Sequence, residues 1–421
     1  MAWPTVSLAI GTASASDAFV LDDATQGKLD TGGELGDSLG YVWADISATM
    51  RATDGLTINR GSTRNQGPYF RYEAGSLTVS LDNRDGDLDP FNLSGTHVSA
   101  GVTQLRPGLP IRAQAAYNGT TWTLFVGYVS EWTVTYPQAG IDSVVQVVAT
   151  DAVGVLNDAD GLAQPSQGGG ENVGTRVGRI LDNIGWDGSA REIDTATLDT
   201  LKDTQLAQAA WAEMLVTSDS VNGYLFVDCD GSVVWQPKNQ FPRAADMDVG
   251  IGGISTATVE VSNDATQLYN VVKLARAEGV EQGGRDETSI ALYGLRGYSR
   301  SDLVVNTESQ VQSSMGYILS QYRDMVLRVE GFTIRPTDSW SNDHWQKLFE
   351  TDMTRRISAV FTTTDGRTIT REGLVRGLTL SVHPMQWSWN ISTTQAPEAL
   401  GTFTLDHAAL GLLDTGTLAA F

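Results

Sequence analysis

From Ser76 to Leu81 every second residue is apolar: Leu77, Val79 and Leu81 alternate with Ser76, Thr78 and Ser80. A period of two sets one face of a strand on a core and the other toward solvent. The same signal recurs along much of the chain and restricts it to a mainly β fold. TTWTLFVGYVSEWTVTY, Thr120 to Tyr136, reads as two strands pivoting near Gly127. SVVQVVATDAVGVL, Ser143 to Leu156, reads as a strand running into a short helix. RISAVFTTTDGRTITREGLVRGLTLSV and QWSWNIST read as further strands, with a hairpin turn at Asp365-Gly366. Pro107-Gly108 marks another turn.

In the middle of the chain the period changes. AQPSQGGGENVG, Ala163 to Gly174, has the composition of a linker. Thr175 then stands where it can cap a helix carrying Val177, Ile180, Leu181 and Ile184 on one face. A second helix is expected from Thr204 to Thr217, with Leu206, Ala210, Trp211 and Leu215 in register. GYLFVDCDGSVVWQPK, Gly223 to Lys238, reads as a hairpin turning at Asp230-Gly231 in type I′ geometry. From about Ala257 strands return, with one embedded helix over Glu308 to Arg323 that faces Val311, Met315, Ile318, Leu319 and Tyr322 inward.

The expected fold class is therefore mainly β with a few helices (α+β). The expected organisation is an arm (1–40), a first β domain (41–160), a helix and hairpin insert (172–245), a second β domain with a helix (250–400) and a closing arm (401–421). A chain of 421 residues with 41% hydrophobic content can bury cores of this size.

Asp and Glu outnumber Lys and Arg by 50 to 28, for a net charge of −22. A nucleic-acid binder needs a basic face to replace phosphate counterions, so sequence-specific DNA binding is disfavoured. An acidic surface that weakly repels a polyanion suits a protein past which DNA slides. The single cysteine, Cys229, permits no intramolecular disulfide and falls in the expected hairpin. MAWPTVSLAI lacks the basic and apolar regions of a signal peptide, and no apolar run reaches membrane-spanning length.

Catalytic and metal chemistry find little support. His97, His344, His383 and His407 are scattered, with no ligand spacing and no nucleophile relay. GGGENVG and GIGG lack the spacing and setting of a phosphate-binding loop. DNRDGDLD is the best metal candidate: Asp82, Asp85, Asp87 and Asp89 supply hard oxygens of the kind Ca²⁺ takes. Leu81 stands where an EF-hand would place its first ligand, so an Asx-rich turn is the favoured reading. Paired carboxylates for glycoside hydrolysis are not distinguished from the other acids. Trp122, Trp132, Trp387 and Trp389 alternate along expected strands, as core and interface aromatics do. No cofactor is expected.

One motif occurs twice. FVLDDATQGKLDTG, Phe19 to Gly32, and FTLDHAALGLLDTG, Phe403 to Gly416, share the Phe, both Leu-Asp pairs, one Ala, both Gly and the Thr. Such a peptide can add to an exposed sheet edge, with alternate side chains entering pockets. The expected contact residues are Phe19, Leu21, Asp22, Gly27, Leu29 and Asp30 in the first copy. In the second they are Phe403, Leu405, Asp406, Gly411, Leu413 and Asp414.

Five stretches taken in order carry a resemblance: INRG (58–61), AGSLTVSLDNRDGDLDPFN (74–92), LRPGLPIRAQA (105–115), FVGYVSEWTV (125–134) and VQVVATDAVGVL (145–156). Together with AQAAWAEMLVTSDSVNGYLFVDCDGSVVW (207–235) and LYNVVKLARAEG (268–279), they resemble tail minor proteins of siphophages of actinobacteria. More broadly, they resemble the baseplate hub proteins at phage tail tips. The resemblance implies two tube-like β-barrel or sandwich domains per chain and a homotrimer that adapts a hexameric tail tube to a three-fold tip. It implies a channel for the tape measure protein and then DNA, which would only pass through. Implied partners are further copies of the chain, the distal tail protein, the tape measure protein and other minor tail proteins. The implied location is the virion tail tip, after synthesis in the host bacterial cytoplasm. Larger relatives carry enzymatic or fibre modules that this chain does not show, so the expectation is a structural protein and not an enzyme. A distal tail ring, a carbohydrate-contacting minor protein and, last, a wall hydrolase are the alternatives.

Overall fold

A computed structural model describes residues 3–13, 41–62, 67–99, 101–137, 141–159, 164–238, 245–263, 265–337 and 340–396. Thirteen strands form one sheet. Its path runs Thr258–Ser262, Arg328–Ile334, Gln386–Gln395, Thr368–His383, Leu56–Gly61, Ser76–Asp82, Val144–Thr150, Thr120–Thr135, Pro110–Tyr117, Thr5–Ala13 and Tyr41–Asp45. Each of these strands is antiparallel to the next. Arg356–Thr362 branches from Thr368–His383, and Met247–Gly250 pairs parallel with it. The fold is mainly β, with six helices among the described residues.

The period of two decides which side chains this sheet buries. Leu77, Val79 and Leu81 are buried while their alternate neighbours are half-exposed. Val145, Val147 and Ala149 repeat the pattern on the adjoining strand. Asn118-Gly119, with φ of 48° and 82°, makes the tight turn between Pro110–Tyr117 and Thr120–Thr135. Thr120–Thr135, expected as two strands, is one long strand with a register shift at Val129–Glu131. Thr5–Ala13, within the segment read as an arm, is a sheet strand between Tyr41–Asp45 and Pro110–Tyr117.

Thr368–His383 joins the two β regions. Its first residues pair with Arg356–Thr362, and Gly377 to Val382 pair with Gly61 to Leu56. Gln386–Gln395 follows its other edge. The exchange of partners falls at a bulge around Arg376, between Val375 and Gly377. There the Ser62 N–H donates to the Arg376 carbonyl at 2.9 Å. The backbones approach so closely that a Cβ on Gly61 would lie 2.2 Å from the Arg376 oxygen, and one on Gly377 2.4 Å from the Ser62 oxygen. Gly61 also has φ +72°, which disfavours an L side chain.

One helix locks this joint from the core side. Asn342–Phe349, capped by the Ser341 hydroxyl, was not legible as a helix in the sequence. Trp345 is buried, with ring centroids 5.8 Å from Trp387, 6.0 Å from Trp389, 5.7 Å from Tyr117 and 5.7 Å from Trp3. Phe349 stacks on Trp122 at 5.0 Å. Strands from both β regions thus contribute rings to one aromatic cluster.

The insert departs from expectation in three places. Asn172, not Thr175, caps the helix Val173–Asn183, and its side chain accepts from the Thr175 N–H. Thr204–Leu206 is a strand paired with Gln164–Gln167, and the helix begins only at Ala210. The Glu213 carboxylate takes the N–H groups of Ala207 and Gln208, which ends the extended segment. The hairpin Tyr224–Val227 and Val233–Gln236 turns through residues 228–232 instead of two residues, because the Asp228 N–H pairs with the Ser232 carbonyl. In the second β region Glu308–Tyr322 is a helix as expected, and a capping box of Thr307 and Gln310 starts it. Glu287–Tyr293 and Asn342–Phe349 are additional helices there.

Gly377→Ala should destabilise the chain by about 2–3 kcal/mol through backbone collision. Trp345→Ala should cost about 3–5 kcal/mol by opening a cavity among the rings. Equilibrium denaturant unfolding measures both, and an unchanged midpoint for either would contradict the joint described.

Candidate functional site

The residues expected to make contacts in the two tags lie outside the described residues: Phe19, Leu21, Asp22, Gly27, Leu29 and Asp30, with Phe403, Leu405, Asp406, Gly411, Leu413 and Asp414. The acidic turn is described in full. Asp82 is paired with Arg84, which holds its carboxyl below the ordinary range. Asp85 accepts from the Asp87 N–H, and Asp89 from the Phe91 N–H and the Tyr136 hydroxyl. The carboxylates of Asp82, Asp85 and Asp89 thus serve turn geometry and local partners. Among the described residues no group of three or more His, Cys, Asp or Glu side chains is placed to hold a metal ion.

Buried Asn83 organises the long connection that follows this turn. Its amide nitrogen donates to the Ser143 hydroxyl at 3.1 Å, and its oxygen accepts from the Leu88 N–H at 2.9 Å. The Trp132 indole donates to the Leu88 carbonyl at 2.9 Å. The connection is therefore pinned to the sheet while it displays Phe91, 85% exposed, with Leu93 and Val102. Ile141 and Tyr136, from the neighbouring hairpin, are exposed beside Asp142. Apolar side chains held out on an ordered loop are a contact surface in form.

A second set of charges fastens the insert. Arg60 lies inward on Leu56–Gly61, in step with Leu56 and Ile58. Its guanidinium donates to Asp352 at 2.7 Å and to the Val227 carbonyl at 2.9 Å. The other Asp352 oxygen accepts from the Cys229 N–H at 2.9 Å. One ion pair therefore ties the hairpin of the insert to both β regions. Asp219, at the end of the helix Ala210–Asp219, receives Arg71 and Arg300, each at 2.7 Å. An Arg on the core-facing register was a sequence signal of such a tie. Asp352 and Asp219 carried none.

Burial raises several carboxyls, Asp151 and Asp228 furthest among those with backbone partners. Burial raises Asp151 to about 6, although it accepts from the Gly75 and Val153 N–H groups and the Tyr72 hydroxyl. Burial, aided by nearby Asp352, raises Asp228 to about 7 against the Ser232 N–H that it accepts. Both serve backbone groups at helix or turn ends. Trp387 and Trp389 are buried, and Trp122 and Trp132 are partly buried against the core, so these four rings do not line an open groove.

The sheet ends, along its path, on Tyr41–Asp45 and Thr258–Ser262. One edge belongs to the first β region and the other to the second. Thr258–Ser262 is largely exposed, including Val261. No helix among the described residues is long and apolar enough to cross a membrane.

No protein-family model matches this sequence. No curated protein matches it either. Solved structures do match its fold along almost its whole length. The tail protein from Neisseria meningitidis MC58 superposes with a TM-score of 0.53 at 12% identity, over 94% of this chain and 97% of that one. The 43 kDa tail protein of prophage MuSo2 from Shewanella oneidensis superposes with a TM-score of 0.53 at 10% identity, over 93% and 98%. The chain shares the fold of phage tail proteins. At these identities the likeness concerns the fold.

Stability should depend on pH through Asp228. The folded state keeps a proton up to about pH 7 that the unfolded chain sheds near the ordinary aspartate value of 3.8. This contribution is present at acid pH, falls as pH rises through that window, and is flat above it. Asp228→Asn keeps the acceptor oxygen and removes the titration. It should be more stable than the parent at pH 8 and equal to it near pH 4, as measured by denaturant unfolding. A gain independent of pH would contradict the assignment.

Proposed function

We propose that this chain is a structural, non-catalytic virion protein: a tail-tip hub that assembles as a ring of three copies around a channel. The observation that carries the reading is the single sheet built from both β regions, whose main path ends on two different edges. An edge offers unpaired N–H and C=O groups that another strand can complete. Because the two edges come from different regions, joining copies edge to edge is a head-to-tail contact, which closes into a ring if the rotation allows. Each copy then supplies two β regions, and three copies supply six around the channel. The fold shared with tail proteins supports the setting.

In this reading the pinned loop bearing Phe91 and Leu93 faces an adjoining tail component, such as the distal tail protein. The net charge of −22 keeps the channel from holding the tape measure protein or passing DNA too tightly. The repeated tags act as assembly clasps between neighbouring chains. Asp151 and Asp228, whose pKa values are raised, are committed to backbone N–H groups, which favours a structural role over hydrolysis.

Cryo-electron microscopy of the intact tail tip tests the reading through the rotational symmetry of the density that fits this chain. Three-fold symmetry with both β regions alternating in one ring is the expected result. Six-fold symmetry would move the chain to a distal tail ring. Val261→Pro blocks edge pairing at Thr258–Ser262 without touching the core, and should leave a folded chain that forms no rings by negative-stain microscopy. Normal rings from this variant would count against edge-to-edge assembly.

A further inference from the structure

Strands from both β regions run out at one end of the sheet. His383 pairs with Gln386 across a two-residue turn, Val382 lies opposite Leu56, and Leu56 opposite Val79. Farther along, Asp82 lies opposite Val144, and Val144 opposite Thr135. The turns at this end carry large apolar side chains in the open: Phe91, Leu93 and Ile141 from the first region and Met385 from the second.

These side chains are held in place. Asp89 accepts from the Phe91 N–H at 2.9 Å and from the Tyr136 hydroxyl at 2.5 Å, which ties the loop bearing Phe91 to the end of Thr120–Thr135. Arg51 bridges Asp54 and Asp142, each at 3.5 Å, and so ties the turn before Leu56 to the turn bearing Ile141. Met385 holds φ +57°, the left-handed region in which Gly or Asn is the ordinary choice. It is 72% exposed, so packing within the chain does not offset that strain. Strained positions of this kind cluster where a protein makes functional contacts.

The charge at this end is mostly of one sign. Asp54, Asp82, Asp85, Asp87, Asp89 and Asp142 stand against Arg51, Arg84 and Arg106. Arg51 is shared between two carboxylates, and Arg84 is paired with Asp82. A second copy laid on the same patch would bring like charges together, and an anionic lipid surface or a nucleic acid would be repelled. The occupant that fits is a protein surface with apolar pockets inside a rim of Lys and Arg. The edges Tyr41–Asp45 and Thr258–Ser262 run along the strands, so a ring closed through them leaves this end of the sheet uncovered.

We propose that this end of the sheet is the docking face for a neighbouring tail protein, different from this chain, whose contact surface is apolar with a basic rim. The proposal rests on the reading of the chain as a tail component and supplies the chemistry of its partner.

The test uses assembled tails that carry the full chain with Cys229→Ser and Met385→Cys. A short thiol-to-amine cross-linker joins the new thiol to lysines within reach, and mass spectrometry identifies them. The expected product links residue 385 to a lysine of a different protein. Links confined to lysines of this chain or its copies, or no link at all, overturn the proposal. The double variant Phe91→Ser, Met385→Gly removes two apolar contacts and relieves the strained turn. It should keep its melting temperature and still form rings by negative-stain microscopy, while its incorporation into tails falls at least fivefold. Unchanged incorporation overturns the proposal. Loss of rings in a variant that stays folded would assign the patch to contacts between copies and overturns it as well. If the parent forms no rings and residue 385 still links to a different protein, the ring reading fails and this docking face stands.

Discussion

The structure depends on a pairing between strands more than three hundred residues apart in sequence. Leu56–Gly61 lies against Thr368–His383, with Ile58 opposite Leu380 and Gly61 opposite Gly377. This pairing turns two runs of β structure into one sheet. It is possible only because Thr368–His383 is long enough to serve Arg356–Thr362 first and Leu56–Gly61 second. The bulge at Arg376 is the cost of that exchange, and glycine at positions 61 and 377 lets the two backbones come within reach.

Side chains then secure what the backbone joins. Trp345 and Phe349 bring one short helix against rings of both regions, and dispersion among large flat groups does most of the fastening there. Arg60 and Asp352 fasten the insert with charge instead. Removing either partner would leave a buried charge unmatched, so this pair specifies position more than it adds net stability. The two devices differ in selectivity. Aromatic packing accepts any well-shaped hydrophobe, whereas the ion pair with its backbone bonds accepts one geometry.

The alternation that placed Leu77, Val79 and Leu81 on one face was legible because period-two burial is a local property of a strand. The helix Glu308–Tyr322 was legible in the same local way, from apolar residues at helical spacing. What failed was non-local. Leu206 fits a helical register, yet Thr204–Leu206 is a strand because Gln164–Gln167 is there to pair with it. Asn342–Phe349 is short and carries its aromatics for tertiary contacts, so its period was masked. The acidic turn, read from sequence as an Asx-rich turn with calcium as the weaker alternative, keeps the hydrogen bonds of Asp82, Asp85 and Asp89 within the turn and its neighbours.

The order of synthesis gives the long-range pairing a further meaning. When the ribosome has released the first β region, Ser76–Asp82 is already available to one edge of Leu56–Gly61. The other edge must wait until Val382 has emerged. During that interval the nascent chain carries an open strand in the middle of its future sheet, the kind of edge that recruits wrong partners. Closure comes only with the last strands before residue 396. A chain cut short before the strand Thr368–His383 keeps a sticky seam in place of a paired one, so release of that strand is itself a checkpoint on which molecules leave synthesis with a closed sheet.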